Sequence, residues 1–321
     1  MALYRYRIKP ESALATPFRS DTLYGHLLWM AAQWEGAERV TELIEAFDGP
    51  NPPFRLSSAF PAGTLPMPHL PGIPRDQFAS EFRQHGDLVT VLQKYKKFRK
   101  LKYIDLDVWQ VLRGRLSQEA LFAHWLVNQA QDDSSSEKMT TRQANQPHNS
   151  IDRNTGSVLR EGGLHFAQAT WFGQDVELDL YVESENIETF ESLFKYLSEV
   201  GYGADRSVGK GQFSYERDQN FQSQSLVQQG DYQLSLSVCA AQDCREFDGY
   251  WKPMVKHGRT WSGFGEKNPF KKPFLAFSEG SLFKAMPTQG YLLRNIHSNP
   301  RIAQVTWPLT IPVTLEVDHA S

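Results

Sequence analysis

The stretch VELDLYVESENIETFESLFKYLSEVGYGADRSVGKGQFSY, Val176–Tyr215, decides the reading of the fold. Val176, Leu178, Leu180 and Val182 alternate with Glu177, Asp179 and Tyr181, the period of a half-buried strand. Ile187, Phe190, Leu193, Phe194, Leu197 and Val200 then recur at helical spacing, and Gly201 stands where that helix would end. A glycine-rich segment leads into a short strand, Gln212–Tyr215. The result is strand–helix–strand.

The N-terminus has the same grammar. In Leu3–Lys9, Tyr4, Tyr6 and Ile8 point one way and Arg5, Arg7 and Lys9 the other; the cationic side fits a solvated sheet face or a contact surface equally well. Ser20 or Asp21 can cap a helix with Leu23, Leu27, Met30, Ala31 and Trp34 on one side, and Phe54–Phe60 is the next strand candidate. Two such units separated by an insertion make the split βαβ pattern of a ferredoxin-like domain, so the fold class is α+β. This first domain spans residues 1–217, with the insertion at about 62–162 and the glycine-rich loop at 201–211. Within the insertion a basic helical segment covers about 90–130. The stretch from Gln131 to Arg160, rich in Ser, Asp, Asn and Gln, lacks apolar periodicity and reads as a mobile loop or an extended arm. A second, more irregular domain follows over 218–321: Tyr232, Leu234, Leu236 and Val238 alternate, and the β-rich run Val305–Val317 is interrupted by Pro308 and Pro312.

Composition narrows the function classes. The 321 residues carry 34 Lys+Arg against 37 Asp+Glu, a formal charge of −3, which excludes a generally basic nucleic-acid coat and confines such contacts to local patches. Two cysteines cannot staple a chain of this length, and Cys239 and Cys244 have no neighbouring His or Cys pair to hold a metal. No run of about 18 apolar residues occurs, and MALYRYRIKP has no apolar core behind its charges, so a soluble, cytoplasmic protein without membrane contact is expected.

Four constellations carry chemistry. In GYGADRSVGKGQF, Gly201, Gly203, Gly209 and Gly211 surround Arg206, Ser207 and Lys210. Glycines permit positive φ and close approach to backbone amides, which can form an anion-binding concavity with the two cations beside it. The loop follows a helix and precedes a strand, the reverse of phosphate loops of nucleotide enzymes, so no nucleotide cofactor is expected. In KYKKFRKLKY, Lys96, Lys97, Arg99 and Lys100 accompany Tyr95, Phe98 and Leu101, which can anchor the segment while its cations face phosphates, an acidic protein surface or water. In NSIDRNTGSVLREGGLHF, Asn149, Arg153, Asn154 and Thr155 fit a hairpin arm gripping a nucleic-acid backbone; on composition alone an exposed loop fits better. His26 lies at the margin of the first helix's apolar stripe, where packing or a subunit contact competes with a general-base role. No Ser/His/Asp, Cys/His or metal-binding carboxylate set can be assembled elsewhere.

Taken together, SDTLYGHL, LPMPHLP, KYKKFRKLKYI, NTGSVLREGGLHF, GADRSVGKGQF and KKPFLAFSEGSLF, in this order from about residue 1 to 290, resemble the fourth-subunit family of the Csm effector complexes of type III-A CRISPR systems, within the RAMP superfamily. The tail after Gly290 matches no pattern of that family. The resemblance implies two ferredoxin-like (RRM-like) domains with the glycine loop packed on the first, and a ribonucleoprotein subunit with no catalytic activity of its own in target cleavage. Such a subunit holds the 5′ handle of the crRNA and caps the backbone filament. It joins the large polymerase/cyclase-like subunit to the repeating backbone RAMP subunit, without touching DNA directly. Carried over by position, Gly201–Gly211 is the handle loop and Asn149–Gly156 lies in an arm pressing on the guide. Lys271 and Lys272 become phosphate contacts, whereas Ser20, His26 and the basic run at Lys94–Lys102 contact either RNA or protein. Tyr202 and Phe213 are candidates to stack on a base, with the core an equal claimant for Phe213. The competing readings are a metal-independent RAMP endoribonuclease with His26 as base, and the equivalent subunit of another CRISPR subtype.

Overall fold

The computed structural model describes residues 1–129, 141–149, 151, 155–158, 163–227, 229–260 and 268–316. The chain opens with strand β1 (Ala2–Pro10), helices α1 (Ser20–Trp34) and α2 (Ala37–Asp48), and short strands β2 (Phe54–Leu56) and β3 (Phe60–Pro61). The expected strand Phe54–Phe60 is thus broken in two, because Ser57 and Ser58 turn inward and bond neighbouring segments. On α1, Leu23, Leu27, Met30 and Ala31 are buried, whereas Trp34 is half-exposed and stacks on Tyr196.

The insertion is a helical module. Strands β4 (Thr64–Pro66) and β5 (Tyr103–Asp105) pair across its neck, and helices α3 (Arg75–Phe82), α4 (Leu88–Phe98), α5 (Leu106–Leu112) and α6 (Gln118–Gln129) form its body. Asp87 caps α4 by accepting the Thr90 amide, and Val91 and Phe98 anchor that helix. Beyond it, β6 (Thr141–Asn149) and β7 (Leu164–Phe172) pair in continuous antiparallel register. A long hairpin arm therefore replaces the exposed loop that composition favoured. The ladder supplies the backbone partners that the polar sequence hides.

Strand β8 (Leu178–Ser184), helix α7 (Glu188–Val200) and strand β9 (Phe213–Arg217) complete the first sheet. Its order, β2-β8-β1-β9 with every pair antiparallel, is that of a ferredoxin-like domain. Tyr6, Ile8, Leu180 and Val182 face α1 and α7 and pack on Leu27, Phe190 and Phe194. The opposite face is covered over Arg5 and partly solvated over Arg7. Arg5 is bonded to Asp218 and lies over the Phe221 ring, and Arg7 pairs with Glu177 at 3.1 Å. Between them is Asp179, whose carboxyl is pushed up by burial and accepts the Gly63 amide at 2.8 Å.

The remaining chain repeats the sheet order, with no α-helix among its described residues. Strands β10 (Tyr232–Ser235), β11 (Asp248–Tyr250), β14 (Leu282–Ala285) and β17 (Thr310–Val313) lie in the order β11-β14-β10-β17, again antiparallel. Between β11 and β14, strands β12 (Pro253–Lys256) and β13 (Phe274–Phe277) form a separate ribbon, as do β15 (Leu292–Leu293) and β16 (Gln304–Val305) between β14 and β17. The two larger hydrophobic cores each draw on both sheets: Cys239, Phe283 and Trp307 join the core beneath α1 and α7, while Tyr181 joins Leu234, Ile311 and the helical insertion. Polar bonds seal the seam, including Trp307 Nε1 to Phe47 O at 2.7 Å and the Ser58 amide to Leu236 O at 2.8 Å. Among the described residues no helix is long and apolar enough to cross a membrane.

Candidate nucleic-acid interface

The glycine loop sits at the end of α7, whose last turn closes with the Gly201 amide on Leu197 O. Gly201, Gly203, Gly209 and Gly211 all have positive φ, and Asp205 joins them at 60°. At Gly211 the backbone approaches so closely that an added Cβ would lie 1.8 Å from Tyr202 O, whereas at Gly209 it would meet nothing within 4 Å. Gly201 and Gly211 are therefore buried closure points, and Ser207, Val208 and Gly209 form the exposed tip.

The loop's amides at Tyr202–Ala204 and Val208–Gly211 are spent inside the protein. Tyr202 donates to Gly211 O, Gly203 to His26 Nε2, Ala204 to Thr16 Oγ1, Val208 and Lys210 to Asp205 O, Gly209 to Arg206 O and Gly211 to Ala13 O. This corrects the expectation of an anion-binding concavity built from these amides; they fix the turn instead. Lys210 changes role for the same reason. It is buried, and its Nζ is 2.8 Å from Asp205 Oδ2, so its charge braces the loop from within. Arg206 is the loop's cation at the surface: its guanidinium lies 3.9 Å from the centre of the Trp29 ring, and partial burial lowers its pKa.

The segment from Ser12 to Pro17 is the spine on which this is built. Ser12 Oγ accepts the Gln212 amide, Ala13 O the Gly211 amide, Thr16 Oγ1 the Ala204 amide and Pro17 O the Tyr202 hydroxyl. Leu14 exchanges both backbone bonds with Thr170 at the root of the arm, at 2.9 and 2.8 Å. Loop and arm thus share one short strip of backbone. Tyr202 and Phe213 belong to the core: both are buried, Tyr202 stacks on Phe18 with centroids 4.1 Å apart, and Phe213 meets the same ring edge-on.

The sequence profile of the RAMP superfamily matches residues 16–214, which runs from this spine through the loop to β9. The chain is a member of the RAMP superfamily. Similar solved structures include a chain of a "Csm1-Csm4 cassette in complex with pppApA", 18% identical with a TM-score of 0.59, over 98% of this chain and 99% of that one. A chain of the "Csm3-Csm4 subcomplex in the type III-A CRISPR-Cas interference complex" is 14% identical, with a TM-score of 0.58 over 96% and 99%. Among curated proteins none matches.

The other expected contacts on this RAMP scaffold divide sharply. Ser20 is fully buried: its Oγ accepts the Val238 amide at 2.9 Å, tying α1 to the segment that follows β10, so it contacts neither RNA nor a partner. Lys271 is not a phosphate contact. Its Nζ donates to Ala303 O and Gln304 Oε1 at 3.0 and 2.9 Å, and burial pushes the amine down to about 8. Lys272 is exposed, as are Lys96, Lys97, Arg99 and Lys100 around the end of α4. Asn149 and Thr155 are exposed on the arm and its turn; Arg153 and Asn154 lie outside the described residues. The sequence reading missed Thr16, Trp29 and Asp205. Trp29 carried a readable signal, an aromatic one helical turn beyond His26 and off the apolar stripe. Among the described residues no group of His, Cys, Asp or Glu is arranged to hold a metal ion.

Proposed function

We propose that this RAMP protein is a non-catalytic RNA-binding scaffold subunit of a type III-A CRISPR effector complex. In this reading the tip of the glycine loop holds the 5′ handle of the crRNA, and the β6–β7 arm presses on the guide where it leaves the handle. The chain joins a large polymerase/cyclase-like subunit to the repeating backbone subunit. It is divided into residues 1–217 and 218–321. The observation that carries the reading is full-length similarity to chains of two subcomplexes, Csm1-Csm4 and Csm3-Csm4, that share one component, Csm4. The loop's chemistry supports it. A turn braced by the internal bonds of Tyr202–Ala204 and Val208–Gly211 offers a fixed surface, from which Arg206 can meet a phosphate or stack on a base and the exposed Ser207 can bond RNA. Gly203 engages the one nitrogen by which His26 could accept a proton towards the loop, which disfavours the endoribonuclease alternative.

Arg206→Ala tests the assignment better than any change at Lys210, whose loss would disturb the loop itself. The expected outcome is at least a tenfold weaker affinity for a guide RNA carrying its handle, with unchanged thermal stability. Equal affinity of wild type and Arg206→Ala would refute the loop's role.

A further inference from the structure

Helix α1 approaches the glycine loop with two side chains one turn apart. His26 takes the Gly203 amide on Nε2 at 3.2 Å, and Trp29 lies under the Arg206 guanidinium. Gly203 and Ala204 are successive residues whose amides both donate to side chains, one on α1 and one on the Ser12–Pro17 spine. No backbone ladder would hold this corner if the imidazole were lost, and the partly buried Gly203 amide would then lose its partner. The corner has little slack. Gly203 has a φ of 83°, and a Cβ there would lie 2.9 Å from Thr16 Cβ.

We infer that His26 is a positioning residue of the loop: its neutral imidazole, carrying its proton on Nδ1, receives the Gly203 amide and so fixes the turn that presents Arg206. An imidazolium has no acceptor nitrogen, so the bond requires the neutral form. The surroundings enforce that form. Burial and the neighbouring Arg206 charge hold the His26 pKa down at about 4, and the other group against the ring, Tyr202, has its hydroxyl engaged with Pro17 O. His26 is thereby removed from proton transfer and given a mechanical task. The importance of that task for RNA rests on the reading of the loop as the handle site; the latch itself does not.

The test uses the full-length chain with two substitutions. His26→Leu removes the acceptor, whereas His26→Gln can return an oxygen to the place of Nε2. Hydrogen exchange over residues 201–211, affinity for a synthetic guide RNA with its 5′ handle, and the imidazole tautomer by nitrogen NMR are measured together. The expected result is an Nδ1–H tautomer at pH 7, with loop exchange at least tenfold faster and RNA binding at least fivefold weaker in His26→Leu. His26→Gln should lie within about twofold of wild type, a tenfold change corresponding to about 1.4 kcal/mol. An Nε2–H tautomer, or loop exchange unchanged in His26→Leu, would overturn the inference. Equal losses in both variants would also overturn it, since packing alone would then be at stake. If wild type fails to bind the guide, the handle reading falls, while exchange and tautomer still decide the latch.

Discussion

The glycine loop and the β6–β7 arm both leave the first sheet region and both root on the Ser12–Pro17 spine, yet they are held in opposite ways. The loop is tied down residue by residue: its amides reach His26, Thr16, Ala13 and one another, and Lys210 is neutralised from inside by Asp205. The arm is held by its own ladder and by its root, where Leu14 meets Thr170 and Ala169 is buried. Further out, Leu164 and Phe166 are 58% and 65% exposed, and Ile151 and Val158 near the tip are exposed as well. An isolated two-stranded ribbon is marginal in water, so apolar side chains at its end gain from a covering ligand or partner. One element is fixed by bonds to the body of the protein, whereas the other leaves apolar side chains in solvent near its end.

The sharpest way to break this comparison is at the glycines. Gly211→Ala drives a Cβ into Tyr202 O at positive φ and is expected to cost about 3 kcal/mol, combining overpacking with the left-handed penalty. Gly209→Ala, at φ 87° with open space around it, should cost only the backbone penalty of about 1 kcal/mol. Urea denaturation of the two variants checks both; equal costs would mean the loop is not closed as described.

Stability should also fall with acid. In the unfolded chain the His26 imidazole protonates near pH 6.5, whereas in the fold it resists until about 4. Below about 6.5 the unfolded state therefore binds the extra proton first, and stability is lost as the pH falls towards 4. The melting temperature of wild type should accordingly drop more steeply across that window than that of His26→Gln. Parallel profiles would show that the imidazole is not held neutral. The arm should respond least: Phe166→Ser is expected to change the stability of the free chain by less than about 0.5 kcal/mol, yet to weaken guide binding several-fold. A large loss of stability would instead place Phe166 in the chain's own core.

What was legible in the sequence follows the same division. The two βαβ units could be read because period-two and helical spacing, as in Leu178–Val182 and Phe190–Leu197, are local signals. The arm could not: TRQANQPHN has no alternation of apolar and polar residues, and its strand exists through pairing with β7. Within the loop, the four glycines were readable as a need for positive φ. The use of its amides was not, because their partners at Ala13, Thr16 and His26 lie at least 177 residues earlier in the chain. Lys210 and Lys271 were misjudged for a related reason. A lysine in a basic or glycine-rich string looks solvent-facing until Asp205, or Ala303 and Gln304, are brought against it. Ser20 resembled a cap or a contact, and only the docking of Val238 shows it to be a seam bond.

The central claim is tested most directly by photo-crosslinking. A guide RNA with photoreactive nucleotides along its 5′ handle would be bound to the full-length chain and the joined peptides identified by mass spectrometry. The account predicts crosslinks to the loop tip, Arg206–Gly209, that are lost in Arg206→Ala. Handle crosslinks that fall elsewhere and leave the tip unmarked would contradict it.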